Sequence, residues 1–162
     1  MALSFCSFSS GSSGNSYLVK SDTTAILVDA GISARKILNG LSHTDTSEEQ
    51  VAALLLTHEH SDHVRSLPAL MKKLKRLSAY ANERTWEAIG KEIDPVRRQS
   101  FTTGESFNVG NIRVNSFRVC HDAVDPVGYS FYEGGKQISI VTDTGCIKED
   151  MMDEIRDADL LV

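Results

Sequence analysis

The chain has 162 residues, 41% hydrophobic and 24% charged, a composition that suits one folded domain with its own core and excludes a disordered segment. Its net charge of −5 excludes a broadly basic protein that coats nucleic acid. No run approaches the roughly twenty apolar residues of a membrane-spanning helix.

The N-terminus from Met1 to Cys6 has neither a basic start nor a long apolar stretch, so no secretory signal is expected. Residues 3–8 read as a strand and are followed by the Gly/Ser stretch 9–16. Such a stretch is ordinarily a flexible connection. Between two strand candidates this close together it reads as a tight hairpin loop. The next strands are 17–19 and Ala25–Val28, joined by the turn-like Ser21-Asp22-Thr23-Thr24. Asp29-Ala30-Gly31 closes the third strand, and Ser33 can cap a helix over 34–41. Residues 42–50 form a polar connection in which His43 is a solvated loop residue.

An apolar run over 51–57 reads as a buried strand. Beyond residue 63, Leu67, Leu70, Met71, Leu74 and Leu77 follow helical spacing, with Pro68 tolerated in the first turn. Lys72, Lys73, Lys75 and Arg76 fill the remaining positions, a pattern that more often marks a solvated face than a nucleic-acid contact. A short strand over 79–81 precedes a helix over 83–93, with Trp86, Ile89 and Ile93 on one side and Pro95 as its stop. Strands follow at 106–109, 112–120, 128–133 and 136–142, the last two joined by a two-residue turn at Gly134-Gly135. A helix over 149–158 leads to a strand start at Asp159-Leu160-Leu161-Val162.

The chemistry concentrates at His58-Glu59-His60-Ser61-Asp62-His63, directly after the apolar run. Imidazole and carboxylate suit zinc and its first-row neighbours. If the strand end stays extended, His58 and His60 point to one side, and Asp62 and His63 come from the turn beyond. A polar loop that happens to be rich in His is the plainer alternative, but three His at offsets of two and three speak against it. His121 and Asp143 each end a strand before a Gly-bearing turn. Alone each is a weak signal; beside the cluster they supply a third nitrogen and a shared carboxylate. Two divalent ions would bring the charge of −5 to about −1, so the acidic balance does not exclude a phosphodiester substrate.

Cys6, Cys120 and Cys146 are odd in number and show no CxxC spacing, which favours reduced thiols in a cytoplasmic protein over a disulfide framework. Cys120 is expected to be a buried apolar residue pointing opposite to His121. Cys146, three residues past Asp143 in a turn, is a poor candidate for a thiolate ligand.

The order of Asp29 at a strand end, the His-x-His-x-Asp-His motif at 58–63, the isolated His121 and Thr142-Asp143-Thr144-Gly145 resembles the metallo-β-lactamase superfamily, over the whole chain. Ser10-Gly11-Ser12-Ser13-Gly14-Asn15-Ser16, His121-Asp122-Ala123 and Asp125-Pro126-Val127-Gly128-Tyr129 are similar to its YycJ/WalJ/VicX-type branch. The resemblance implies an α+β fold, a four-layered αβ/βα sandwich with metals at the edge between its sheets. It implies two divalent ions, zinc first and manganese as the alternative for nuclease turnover. His58, His60 and His121 would hold the first ion, Asp62 and His63 the second, and Asp143 would bridge them. Asp29 would support the cluster without ligating it.

The branch implies a cytoplasmic phosphodiesterase, a 5′-to-3′ DNA exonuclease with DNA as its substrate and no membrane partner. A hydroxide bridging the ions would attack phosphorus, with Asp62 as the catalytic carboxylate that aims it. A thioester, lactone or lactam hydrolase with the same metals is the second reading, and a metal-binding module without turnover the third. The superfamily's redox branch, which ordinarily carries a carboxylate at the place of His60, is disfavoured. The family's second site takes a further His from its C-terminal half, and no residue here can be assigned to it. The chain is therefore expected to be one domain, 1–162, truncated at its C-terminus and with an incomplete second sheet. The loop 10–16 is expected at the rim of the metal cleft, where Gly11 and Gly14 would let backbone N–H groups approach a phosphate.

Overall fold

In the computed structural model, which describes residues 3–90 and 93–162, β1 (Ser4–Ser9), β2 (Ser16–Lys20) and β3 (Ala25–Val28) form an antiparallel ladder. Helix α1 (Ala34–His43) begins at Ser33, whose hydroxyl accepts from the Lys36 N–H, and carries the chain to β4 (Val51–Leu55), parallel to β3. Two short helices, α2 (Ser61–Val64) and α3 (Leu67–Lys73), lead to β5 (Ser78–Asn82), and α4 (Glu83–Ile89) leads to β6 (Arg98–Phe101). Strands β3 to β6 run parallel, and the first sheet has the order β1-β2-β3-β4-β5-β6.

The second sheet is built from β7 (Ser106–Val109), β8 (Ile112–Arg118), β9 (Val127–Glu133) and β10 (Lys136–Ile140), antiparallel neighbours in succession. Helix α5 (Glu149–Ile155) then returns the chain to β11 (Leu160–Leu161), parallel to β10.

Side-chain alternation assigns the layers. Tyr17 and Val19 of β2, Ile26 and Val28 of β3, and Leu55 of β4 face the second sheet, where they meet Val114, Tyr129, Phe131 and Ile140. Leu18, Leu27 and Leu54 point the other way, onto Ile37, Leu41, Leu70 and Trp86 of the helices. Both faces of β2, β3 and β4 are thus covered, which is why these strands read as nearly unbroken apolar runs. Met151 and Ile155 of α5 cover Phe117 and Val119 on the outer face of the second sheet. Helices, sheet, sheet and helix make the four layers of an αβ/βα sandwich, an α+β fold.

Several expectations need correction. His43 is the last residue of α1, its Nδ1 2.7 Å from the Asn39 carbonyl, because the helix runs beyond Leu41. Helix α4 stops at Ile89, where Gly90 turns the chain at φ 87°; the expected continuation through Lys91 and Glu92 lies outside the described residues. The ladder of β4 ends at Leu55, so His58 and His60 stand on loop backbone rather than on a strand. Strand β6 was not anticipated, because its residues Arg98, Gln99 and Ser100 are polar and Phe101 alone is buried.

The expectation of reduced thiols fails for two of the three cysteines: Cys120 and Cys146 form a disulfide. Strands β8 and β10 both run antiparallel to β9, so their C-terminal ends meet at one edge of the sheet, a closeness that linear spacing does not reveal. Cys120 is accordingly half-buried rather than buried, and Cys6 is the free cysteine. Among the described residues no helix is long and apolar enough to cross a membrane.

Candidate metal centre

Strands β3 and β4 are parallel and end side by side, Val28 opposite Leu55, so the residues that follow each strand emerge together. Asp29 leaves β3 in the left-handed region at φ 62°, its N–H donating to the Leu55 carbonyl at 2.9 Å. That turn aims its carboxylate back under the segment after β4. Asp29 Oδ1 accepts the Thr57 N–H at 2.9 Å, and Oδ2 accepts the Thr57 hydroxyl at 2.8 Å and His63 Nδ1–H at 2.7 Å. The Thr57 hydroxyl, its proton given to Asp29, accepts from His58 Nδ1–H at 3.0 Å. This network assigns the tautomers: His58 and His63 both carry the Nδ1 proton and turn Nε2 toward the cleft.

The second sheet brings in the other two residues. His121 follows β8 and Asp143 follows β10, the latter also left-handed at φ 50°. Gly145 N–H donates to the Cys120 carbonyl at 2.6 Å, which joins the two segments next to the disulfide. Val127 N–H donates to the Thr57 carbonyl at 2.9 Å and the Tyr129 hydroxyl to the Leu56 carbonyl at 2.5 Å, so β9 sets the register of the second sheet on the motif segment. Glu59 Oε1 accepts the Val124 N–H at 3.0 Å and ties the motif to the loop that holds His121.

Among the described residues two groups of candidate ligand atoms result, each with its members within 4.8 Å of one another: His58, His60 and His121, and His58, His63 and Asp143. His60 Nδ1 and His121 Nε2 are 3.2 Å apart, and His63 Nε2 is 3.0 Å from Asp143 Oδ2. Asp62 falls outside both groups, but its Oδ2 is 3.7 Å from His63 Nε2 and its side chain reaches solvent. Asp29, wholly buried behind the imidazoles, offers no atom to either group. All seven residues expected at the site therefore lie in one place, Asp62 at its edge.

Neutral imidazoles with carboxylates are the donor set of zinc and related divalent ions, and the family of folds to which such centres belong implies divalent metal. An observation of this chain fits that implication. His58 Nε2 is buried and has no hydrogen-bond partner among the described residues, an expensive state for a lone pair unless a cation accepts it. Burial pushes the His58 pKa down to about 4, helped by the neighbouring His63, so the lone pair is free at neutral pH. For His63, burial acts in the same downward direction, but the hydrogen bond and charge of Asp29, with Asp143 and Asp62, outweigh it and the net shift is upward. Tyr129 is raised well above its ordinary value, by burial first and then by the Asp29 charge, so its hydroxyl stays a donor.

The loop 10–16 touches the centre in a different way from the one expected. Gly11 N–H is taken by Asn15 Oδ1 at 2.9 Å and Gly14 N–H by the Gly11 carbonyl at 3.0 Å, so neither is free for a phosphate. Asn15 N–H donates to the Asp62 carbonyl at 2.8 Å, and Asn15 Nδ2 lies 3.1 Å from His63 Nε2. Cysteine chemistry takes no part in ligation, since the Cys146 sulfur is bonded to Cys120. Sequence reasoning missed Thr57, Asn15 and Tyr129 as site partners. The latter two sit in the very segments that carried the family resemblance, and that was the available signal.

The profile of a family described as "Beta-lactamase superfamily domain" matches residues 24–162. The chain is 38% identical to "Exodeoxyribonuclease WalJ" of Streptococcus pneumoniae serotype 2 (strain D39) over 156 residues, covering 93% of this chain and 57% of that protein. It is 36% identical to "Exodeoxyribonuclease YycJ" of Bacillus anthracis over 165 residues, covering all of this chain and 62% of the relative. The chain thus spans about three fifths of the length of these curated relatives. Among solved structures, the metallo-β-lactamase fold protein YhfI from Bacillus subtilis superposes with a TM-score of 0.75 at 18% identity, over 92% of this chain and 62% of that one, a likeness of fold alone.

Proposed function

The chain belongs to the β-lactamase superfamily, and from that premise we propose that it is the metal-binding part of a DNA phosphodiesterase, a 5′-to-3′ exonuclease. The observation that carries this reading is the pair of ligand groups that share His58. Two relatives that bear the name exodeoxyribonuclease support DNA as the substrate. When bound, divalent ions of this class activate water for attack and offset the charge of a phosphodiester.

The chain's own residues do the rest. His58, His60 and His121 would hold one ion and His63 with Asp62 the other, with Asp143 as the carboxylate available to the pair. Asp29 and Thr57 hold the Nδ1 protons of His63 and His58 and so aim Nε2 of both at the centre. Asp62, at the solvent edge, would be the catalytic carboxylate that hydrogen-bonds and aims the activated water. Zinc suits three imidazoles, and manganese suits the more carboxylate-rich second group. A cytoplasmic location belongs to this reading through the relatives' DNA-directed names. The Cys120–Cys146 bond speaks for controlling thiol state in any assay.

The test is digestion of single- and double-stranded DNA, labelled at either end, with zinc or manganese supplied. Metal-dependent release of nucleotides from the 5′ end, abolished in His58→Ala, is the expected result. Hydrolysis of a thioester, lactone or lactam with DNA left intact would replace this reading by the other metallo-hydrolase class. Bound metal with no turnover of any of these would leave a metal-binding module.

A further inference from the structure

Asn15 is buried, at 5% exposure, at the end of a Gly/Ser loop whose residues Ser10 to Ser13 are exposed. Every polar atom of its side chain is engaged. Oδ1 accepts the Gly11 N–H at 2.9 Å and the Tyr17 hydroxyl at 3.1 Å, and these two donors fix which end of the amide is oxygen. Nδ2 is therefore the end that points into the centre, 3.0 Å from the Gly11 carbonyl, 3.1 Å from His63 Nε2 and 3.4 Å from the Asp62 carbonyl. The backbone is held as firmly, because Asn15 N–H donates to Asp62 and the Asn15 carbonyl accepts the Gly31 N–H, both at 2.8 Å.

The Nδ2 contact cannot survive ligation of His63. An imidazole nitrogen that binds a cation spends its lone pair on the cation, and the inward Asn15 N–H then keeps only the long contact to the Asp62 carbonyl, at 3.4 Å. It is left as a rigid donor, directed at the space beside His63, Asp62 and Asp143. Asp62 and Asp143, the carboxylates beside His63, are acceptors or ligands. A substrate anion lodged against the ion would find the Asn15 amide as a donor.

We propose that Asn15 is a substrate-binding residue of the metal-loaded centre, its Nδ2–H donating to an anionic oxygen, of the phosphate class, that lies against the ion held by His63. The inference rests on the phosphodiesterase reading for its choice of anion. It also explains why the Gly11 and Gly14 N–H groups are already paired: the loop presents an amide side chain to the anion instead of its backbone.

Asn15→Asp separates this role from a structural one. The aspartate keeps an oxygen for the Gly11 and Tyr17 donors, but it replaces the inward amide by an acceptor with negative charge. In calorimetry with Zn²⁺ alone, the second ion should bind as tightly as in the unsubstituted protein or tighter. Inorganic phosphate binding to the zinc-loaded protein should weaken by about ten- to a hundredfold, the worth of a hydrogen bond to a charged group. Asn15→Ala removes the donor without adding charge and should lower phosphate affinity while metal affinity does not fall; it decides the question if the aspartate variant fails to fold. Unchanged phosphate affinity, parallel loss of metal and phosphate, or no phosphate binding by the zinc-loaded unsubstituted protein would each overturn the proposal. DNA cleavage by the unsubstituted protein judges the phosphodiesterase reading separately. Phosphate binding that depends on Asn15 in a protein that leaves DNA intact would remove that reading and keep this one.

Discussion

The Asp29 carboxylate accepts the Nδ1 proton of His63 over 2.7 Å, and neither side chain is exposed to solvent. One buried charge therefore sets the tautomer of His63 directly and that of His58 through Thr57. Asn tolerates the left-handed backbone of position 29, so Asp29→Asn removes the charge with little backbone penalty. It should lower affinity for divalent metal by about 10- to 100-fold, read by competition with a chromophoric chelator.

Thr57→Val keeps the shape of the side chain and deletes the hydroxyl that links Asp29 to His58. The buried Asp29 oxygen and His58 Nδ1 each lose a partner, which should destabilise the metal-free protein by about 1–3 kcal/mol in urea unfolding. Metal affinity should fall as well, whereas Thr57→Ser should recover most of both.

Gly31 sits where the loop 10–16 and the motif close on each other. A Cβ there would lie 1.6 Å from the Asp62 carbonyl oxygen and 2.6 Å from the Asn15 nitrogen, both backbone atoms that cannot step aside. Gly31→Ala should therefore destabilise the fold by more than about 3 kcal/mol and impair metal uptake, as followed by thermal melting with and without zinc. Gly11→Ala, by contrast, meets no neighbour, so only its φ of 122° opposes it.

His58 should remain neutral in the metal-free protein down to a pKa of about 4, against an ordinary value of 6.5. Above pH 6.5 its contribution to stability is complete. As pH falls from 6.5 toward 4, the unfolded chain binds a proton that the folded one refuses, and stability is lost across that window. His63 acts in the opposite sense, because its pKa is raised and its contribution is greatest below the unfolded value. Imidazole nitrogen shifts in an NMR titration separate the two, and a His58 signal that titrates near 6.5 would contradict the burial argument.

The metal motif was legible because three imidazoles and a carboxylate crowd into six positions, a density that needs no tertiary information. The four layers were legible from side-chain period, since the buried strands of the first sheet and the helical spacing of Leu67, Leu70 and Met71 are local patterns. Thr57 and Asn15 were not. Each is an ordinary polar residue whose role depends on a partner brought in by the fold, His63 lying 48 positions from Asn15. Strand β6 was hidden for a related reason: its pairing with β5 is a backbone matter, and its side chains carry almost no apolar signal. The Cys120–Cys146 pair depended on strand order, which the spacing of 26 residues does not contain.

That disulfide closes a covalent ring around the whole β9–β10 hairpin, with His121 just inside one end and Asp143 just inside the other. The exposed turn at Gly134-Gly135, the natural point of attack for a protease, lies at the far side of this ring. A single cut there opens the peptide chain without parting the two segments that carry His121 and Asp143. Nicked protein should migrate as one species on a non-reducing gel, as two fragments after reduction, and should still hold metal until the thiols are freed.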